Sequence, residues 1–170
     1  PNEIQKEYAI RGINGVTLSL EGFEKTADIL TSLFKYVNTG EHMNRFRFES
    51  TAISTASILD LVCVPKKMIE SIGGGSIHHI AFRVKDELTQ TYFKELLRMN
   101  DFNISAQVDR GYFKSIYFRE PGGILFEIAT DTPGFTVDEE IENLGRNLKI
   151  PEIFSSSRRK IRNNLPRLIH

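Results

Sequence analysis

Two nine-residue stretches of the chain align with each other: GINGVTLSL at residues 12–20 and SIHHIAFRV at residues 76–84. In both, large apolar residues alternate with small or polar ones, and this period of two predicts a half-buried β-strand. The two stretches lie 64 positions apart. The repeat therefore predicts two copies of one structural unit.

The residues after each stretch predict the same order of elements. Apolar residues at helical spacing follow, between Phe23 and Val37 in the first copy and between Leu88 and Met99 in the second, where Asp86 is placed to cap the helix. Three more strands are predicted in each copy, near 36–43, 44–50 and 57–64, and near 104–109, 112–119 and 123–130. Each copy is therefore predicted to be a βαβββ module.

We expect an α+β fold in which the two modules lie side by side and form a curved, mixed β-sheet, with helices outside and a helical tail. The predicted boundaries are 8–66 and 73–131 for the modules and 132–170 for the tail, joined at the glycines 73–75. Tail helices are expected at 138–148 and 157–165. The second is basic, and we expect it to pack on its own domain or on a dimer mate, rather than on nucleic acid or a membrane.

The composition excludes several classes of protein. The chain has 170 residues, 22 Lys and Arg against 22 Asp and Glu, and 40% hydrophobic residues, which is typical of a globular protein and argues against a nucleic-acid-binding one. No stretch approaches the roughly 18 apolar residues of a membrane span. The single Cys63 cannot form an internal disulfide, so a cytoplasmic location is expected.

One face of the second predicted sheet collects polar side chains. Because side chains alternate along a strand, this concave face carries His79, Ser115, Tyr117, Arg119 and Glu127. A buried, unpaired carboxylate is costly, so Glu127 requires a cation. His79 and Glu127 form half of a two-histidine, one-carboxylate set, which binds Fe(II) or Mn(II) and leaves positions open. Alternatively, Arg83 or Arg119 neutralises Glu127 without a metal.

Two motifs resemble the vicinal-oxygen-chelate superfamily, which includes glyoxalase I, fosfomycin-resistance proteins and extradiol dioxygenases. The first is GSIHHIAF at 75–82, and the second is DRGYFKSIYFREPGGILFEIATD at 109–131, followed by PGF at 133–135. Together they resemble the C-terminal half of the glyoxalase-family ring-cleaving dioxygenases, the hydroquinone and chlorohydroquinone enzymes and related quinone-resistance proteins. The resemblance extends from about Ala9 to the tail.

The resemblance implies a non-haem dioxygenase that uses Fe(II), alternatively Mn(II), to cleave a hydroquinone- or catechol-like ring with O2. It implies that His79 and Glu127 are metal ligands, that His78 and Arg110 contact or orient the substrate and oxygen, and that Tyr117 donates a hydrogen bond in the pocket. Structural alternatives stay open: His78 as a capping or core residue opposite His79, Arg110 as a surface charge, and Tyr117 as part of the core.

The first copy departs from the ligand pattern. Asn14 and Gly15 stand where the second copy has its two histidines, and Asp60 lies near the position of Glu127 only after a gap of about three residues. The family pattern implies four modules and a histidine from the first of them. We therefore expect the third ligand to come from a missing N-terminal half, as the start at Pro1 also suggests, or from a second chain of a homo-oligomer.

Two other functions stay open on the same fold. One is a glyoxalase-type isomerase or lyase, for which Zn or Ni would be expected. The other is a non-catalytic module that binds a small molecule such as a drug or a quinone. For the leading interpretation the expected partners are a small aromatic substrate and O2, with no nucleic acid and no membrane.

Overall fold

The computed structural model describes residues 4–5, 7–10, 12–66 and 73–166. The first module contains β1 (Gly15–Leu20), α1 (Glu24–Ser32), β2 (Val37–His42), β3 (Arg45–Glu49) and β4 (Ile58–Cys63). The second contains β5 (Ile80–Val84), α2 (Glu87–Met99), β6 (Val108–Asp109), β7 (Lys114–Arg119) and β8 (Leu125–Thr130). The two predicted βαβββ modules are confirmed. Residue 11 of the first module and residues 167–170 of the tail lie outside the described residues.

Each module forms its own four-stranded mixed sheet, and the two sheets have the same strand order. The orders are β1-β4-β3-β2 and β5-β8-β7-β6, with β1 parallel to β4 and β5 parallel to β8. Thr17 lies opposite Asp60 in the first sheet, and Ala81 lies opposite Glu127 in the second. Asp60 therefore occupies the position in the first sheet that Glu127 occupies in the second. The gap of about three residues needed to align them in sequence falls outside the paired strands.

The two modules share one hydrophobic core. Phe34, just beyond α1 of the first module, stacks on Phe82 of β5 with ring centroids 4.2 Å apart, and it also contacts Phe118 and Phe126. On the face of the second sheet opposite the polar one, Ile116, Phe126 and Ile128 are fully buried. Packing of the first module on the second sheet thus leaves the opposite face for the polar residues.

Helix α2 is fastened to the second sheet by polar contacts. The carboxylate of Asp86 accepts a hydrogen bond from the Thr89 backbone N–H at 2.9 Å, which confirms the predicted cap. The buried amide of Gln90 donates to the carbonyl oxygens of Lys114 on β7 and Ile128 on β8, both at 2.8 Å. These bonds hold β7 and β8 against the helix and so fix the strands that carry the site.

Two predicted helices differ from the structure. Helix α1 ends at Ser32 rather than near Val37, because Lys35 adopts a left-handed conformation (φ 59°) and Val37 already begins β2. The helix predicted at 138–148 is wrong: this segment contains only a short 3₁₀ turn, Ile141–Asn143, after another at Phe135–Val137.

The tail segment lacks the packing that a helix requires. Ile141, Leu144 and Leu148 are exposed, so the segment buries no apolar stripe, and a short helix without such a stripe is not stable. The basic helix is confirmed as α3 (Arg158–Asn164), preceded by a 3₁₀ helix at Glu152–Ser157. In the part of the chain that the structure describes, no helix combines the length and apolar character needed to cross a membrane.

Candidate metal centre

The centre lies where β5 begins beside the middle of β8. His79 directly precedes β5, and Glu127 is the third residue of β8, which runs parallel to β5. The Nε2 atom of His79 lies 2.8 Å from Oε2 of Glu127. The Glu127 side chain is 3% exposed, whereas that of His79 is 36% exposed. The carboxylate of Glu127 is thus buried, and the partly exposed imidazole of His79 lies against it.

The partners of Glu127 are a histidine and a hydroxyl. Ser115 on β7 donates a hydrogen bond to Oε1, and His79 faces Oε2. The two arginines that could have neutralised Glu127 lie elsewhere: Arg83 pairs with Asp131, and Arg119 donates to the carbonyl oxygen of Gly123 at 2.8 Å. Among the described residues, no lysine or arginine forms an ion pair with Glu127.

His78 does not lie opposite His79, as strand alternation predicted. Its Nδ1 lies 3.0 Å from Nδ1 of His79, and the two rings meet edge to face with centroids 5.3 Å apart. Alternation fails here because both histidines precede the first residue of β5 and are not in strand conformation. His78 is exposed, so it is not a core residue. Its position beside His79 is compatible with the predicted role of contacting or orienting the substrate and oxygen.

Two tautomers of His79 are consistent with its contact to His78. If His79 donates its Nδ1 proton to His78, its Nε2 carries a lone pair that points at Glu127. That lone pair and the carboxylate oxygen repel each other unless a cation lies between them. In the other tautomer, Nε2 carries the proton and donates it to Glu127. The pair therefore holds either a proton or a metal ion.

Arg110 and Tyr117 complete the cluster. Nη2 of Arg110 donates to the Tyr117 hydroxyl at 3.2 Å, and this bond raises the pKa of Arg110, which stays a cation. The Tyr117 ring meets His79 edge to face at 6.0 Å and lies directly opposite Glu127 on the neighbouring strand. The five predicted site residues thus form one continuous cluster: His78, His79, Arg110, Tyr117 and Glu127.

The donor set fits a metal ion with two protein ligands. Imidazole nitrogen and carboxylate oxygen suit divalent iron or manganese. Two adjacent ligands with bonds of about 2.1 Å lie roughly 3 Å apart, close to the 2.8 Å between Nε2 and Oε2. Within the described ranges, no group of three His, Cys, Asp or Glu side chains is placed to hold a metal. This geometry is compatible with two of the three ligands of a facial set, with further positions open.

The equivalent position in the first sheet contains an ion pair. Arg45 donates to Asp60 at 2.8 Å, and Arg47 donates through two nitrogens at 2.8 and 2.9 Å. By strand register, Arg45 occupies the position of Ser115, and Arg47 occupies that of Tyr117. The carboxylate of the first module is therefore neutralised by guanidinium groups.

Gly15 leaves no room for a metal-binding side chain at the position in the first module that is equivalent to His79. It aligns with His79, but a Cβ atom there would lie 2.6 Å from the carbonyl oxygen of Ile58. A histidine could not be placed at this point without moving the backbone. Sequence reasoning missed these two arginines. They alternate along β3, so they share a face with Asp60 in the paired strand β4, and this pattern could have identified them.

Asp60 should make the stability of the fold sensitive to acid. Hydrogen bonds from Arg47 hold the pKa of this buried carboxyl below its usual value, against the opposing effect of burial, and Arg45 acts in the same direction as Arg47. A lowered folded-state pKa stabilises the fold above the unfolded pKa of about 3.9, and this stabilisation is lost as the pH falls through the folded value. We expect urea denaturation to show a steeper loss of unfolding free energy below about pH 5 in the original chain than in Asp60→Asn. Parallel pH profiles would contradict this.

Comparison with known proteins gives sequence relatives over nearly the whole chain. MhqE of Bacillus subtilis, provisionally named a ring-cleaving dioxygenase, is 40% identical over 169 residues, which cover 99% of this chain and 54% of that relative. The chlorohydroquinone/hydroquinone 1,2-dioxygenase of Sphingobium indicum is 36% identical over 152 residues, covering 86% of this chain and 46% of that relative. The chain thus spans about half the length of the curated relatives it matches. No protein-family model matches it.

Solved structures agree with the sequence relatives. A provisionally named dioxygenase from Bacillus subtilis superposes with a TM-score of 0.86 at 36% identity, covering 95% of this chain and 51% of that one. The fosfomycin-resistance protein FosX of Listeria monocytogenes, solved with Mn(II) and sulfate, superposes with a TM-score of 0.57 at 20% identity over 74% of this chain and 94% of that one, which shows the fold alone. This chain therefore has the glyoxalase-type, vicinal-oxygen-chelate fold, and nearly all of it is similar in sequence to about half the length of proteins named as ring-cleaving dioxygenases.

Proposed function

We propose that this chain is the part of a ring-cleaving dioxygenase that supplies His79 and Glu127 as two of three ligands to Fe(II), with Mn(II) as the alternative. The observation that carries the proposal is the state of the Glu127 carboxylate. It is buried, it has no arginine or lysine partner among the described residues, and it faces an imidazole nitrogen. The equivalent carboxylate of Asp60 is neutralised by two arginines. The contrast supports an external cation at Glu127.

The side chains around the ligands suit a phenolic substrate. When bound, Fe(II) would supply the redox chemistry that joins O2 to an aromatic ring. Arg110 stays cationic and can stabilise negative charge on a deprotonated hydroxyl. Because Arg110 donates to the Tyr117 oxygen, the hydroxyl proton of Tyr117 is free for donation to a substrate oxygen. Nδ1 of His78 is turned to His79, which leaves Nε2 of His78 to contact a bound substrate or oxygen.

The remaining ligand is proposed to come from outside the 170 residues. The curated relatives are about twice as long, which supports a further half that completes the site, and the family resemblance implies that this half lies N-terminal to the present one. A second copy in a homo-oligomer is the alternative source. Within the chain, we propose that residues 8–66 and 73–131 act as one unit through their shared core and that residues 132–170 form an appended tail.

The proposal predicts weak metal binding and no turnover by the isolated chain. Loaded anaerobically with Fe(II) and then supplied with hydroquinone and O2, the chain should give no sustained ring cleavage in a product assay, because two ligands hold the metal too weakly. Adding the separately expressed preceding half of the protein should restore turnover, and should fail to do so with Glu127→Ala.

Other outcomes of this experiment separate the alternatives. Full turnover by the chain alone would contradict the incomplete site. Stoichiometric Zn or Ni in the assembled protein, with isomerase or lyase activity, would favour the glyoxalase-type enzyme. Ligand binding by the assembled protein without any metal would favour the non-catalytic binding module. An Asp60→Asn variant is the matched control, since it removes a carboxylate at the equivalent position of the other sheet.

A further inference from the structure

We infer that Ser115 is a positioning residue that holds the Glu127 carboxylate in its metal-binding orientation. The inference rests on the metal site proposed above and extends it to a residue outside the ligand set. Ser115 is the second residue of β7, the strand that pairs with β8, and its side chain is fully buried. Its hydroxyl donates to Oε1 of Glu127, which leaves Oε2 facing His79.

This hydrogen bond restricts how Glu127 can offer its charge. A glutamate side chain has several rotatable bonds and loses conformational freedom when its carboxylate is fixed. With Oε1 occupied by the hydroxyl, one oxygen remains directed toward Nε2 of His79, 2.8 Å away. Glu127 is therefore preorganised to bind through a single oxygen.

The first sheet shows why a neutral donor matters at this position. Arg45 occupies the same register position and also donates to the carboxylate of its module, Asp60. Both sheets thus use this position to hold the acidic side chain. An arginine supplies a hydrogen bond together with a positive charge, whereas serine supplies the hydrogen bond alone. Ser115 fixes Glu127 and leaves its negative charge for the metal.

The test measures Mn(II) affinity rather than activity. Mn(II) is titrated into the 170-residue chain, and the free ion is followed by electron paramagnetic resonance. Outer partners of metal ligands typically contribute about 10–100-fold to metal affinity. We expect Ser115→Ala to raise the dissociation constant of Mn(II) at least about 10-fold.

A matched pair of variants separates the hydroxyl from the packing. Threonine and valine have nearly the same shape, and only threonine keeps the hydroxyl, so Ser115→Thr should bind Mn(II) more tightly than Ser115→Val by about 10-fold or more. Equal affinities for these two variants, or unchanged affinity in Ser115→Ala, would overturn the inference. The pair also serves if the alanine variant does not fold. Ser19→Ala, a change at an exposed serine of β1 in the first sheet, should leave the affinity unchanged.

The same titration distinguishes failure of this inference from failure of the proposed function. If Glu127→Ala removes Mn(II) binding while the Ser115 variants retain it, the metal site stands and the positioning role is wrong. If Glu127→Ala also leaves Mn(II) binding unchanged, the metal site itself is wrong, and the positioning role fails with it.

Discussion

Replacing His79 with alanine is expected to abolish measurable binding of Mn(II) or Fe(II) by this chain. The imidazole is one of the two proposed metal ligands, and its Nε2 lies 2.8 Å from Oε2 of Glu127, the other. Removal of an outer partner typically weakens metal binding about 10–100-fold, so loss of a ligand should exceed about 100-fold. Titration with Mn(II), followed by metal analysis after gel filtration, measures the effect.

Two other histidines provide comparison variants for this experiment, one of which is a control. His42→Ala changes an exposed histidine of β2 in the first sheet and should leave metal binding unchanged. His78→Ala removes the neighbour that accepts or donates at Nδ1 of His79, so a loss of about 10-fold is expected. Unchanged metal content in His79→Ala would show that the ligand assignment is wrong. Circular dichroism of each variant verifies that the fold is retained.

The polar face of β7 and β8 could be predicted because strand alternation determines which side chains share a face, whereas the assignment of His79 and Glu127 as metal ligands came from the family resemblance. Glu127 stands between Phe126 and Ile128, which are fully buried against the helix, so its side chain must point to the other face of β8. The same rule applied to β7 placed Ser115 and Tyr117 beside it. These placements depend on local geometry alone, which a single sequence can supply.

Alternation does not predict residues outside strands or partners from distant segments. His78 precedes β5, so its position beside His79 depends on the loop conformation. Asp131, which pairs with Arg83, follows β8, so strand alternation offered no reason to choose it over Glu127 as the partner of Arg83. The failed helix at 138–148 shows the same limit, because its apolar residues find no surface to cover.

Glu120 is the clearest residue that sequence reasoning missed. It lies in the turn between β7 and β8, where a charged residue beside Pro121 is typical of an exposed hairpin, yet the structure buries it almost completely. The reason is tertiary. Helix α1 of the first module brings Thr26 to the turn, and a Cβ atom at Gly122 would lie 2.4 Å from the side chain of Leu20, so the two modules are in close contact here.

Replacing Glu120 with alanine is expected to be strongly destabilising while it leaves the proposed metal ligands intact. Its carboxylate accepts hydrogen bonds from the Thr26 hydroxyl at 2.5 Å and from the backbone N–H groups of Gly122 and Ile124 at 2.9 and 2.8 Å. The Thr26 hydroxyl bond is buried and the two backbone bonds are partly buried; a buried donor that loses its partner costs about 1–3 kcal/mol, so we expect the free energy of unfolding to fall by about 2–4 kcal/mol. That is a large part of the 5–15 kcal/mol typical of a domain.

Urea denaturation of Glu120→Ala, Glu120→Gln and Glu95→Ala tests this contact. The glutamine variant keeps one acceptor oxygen but turns an amide N–H toward a donor, so its loss should be intermediate. Glu95 pairs with Arg98 on the exposed face of α2, and its removal should change stability by about 0.5 kcal/mol or less. A loss in Glu120→Ala no larger than in Glu95→Ala would show that the turn does not join the modules. A large loss would show that the buried turn, which Thr26 of α1 contacts from the first module, contributes strongly to the stability of the second sheet and so to the strands that carry the proposed metal ligands.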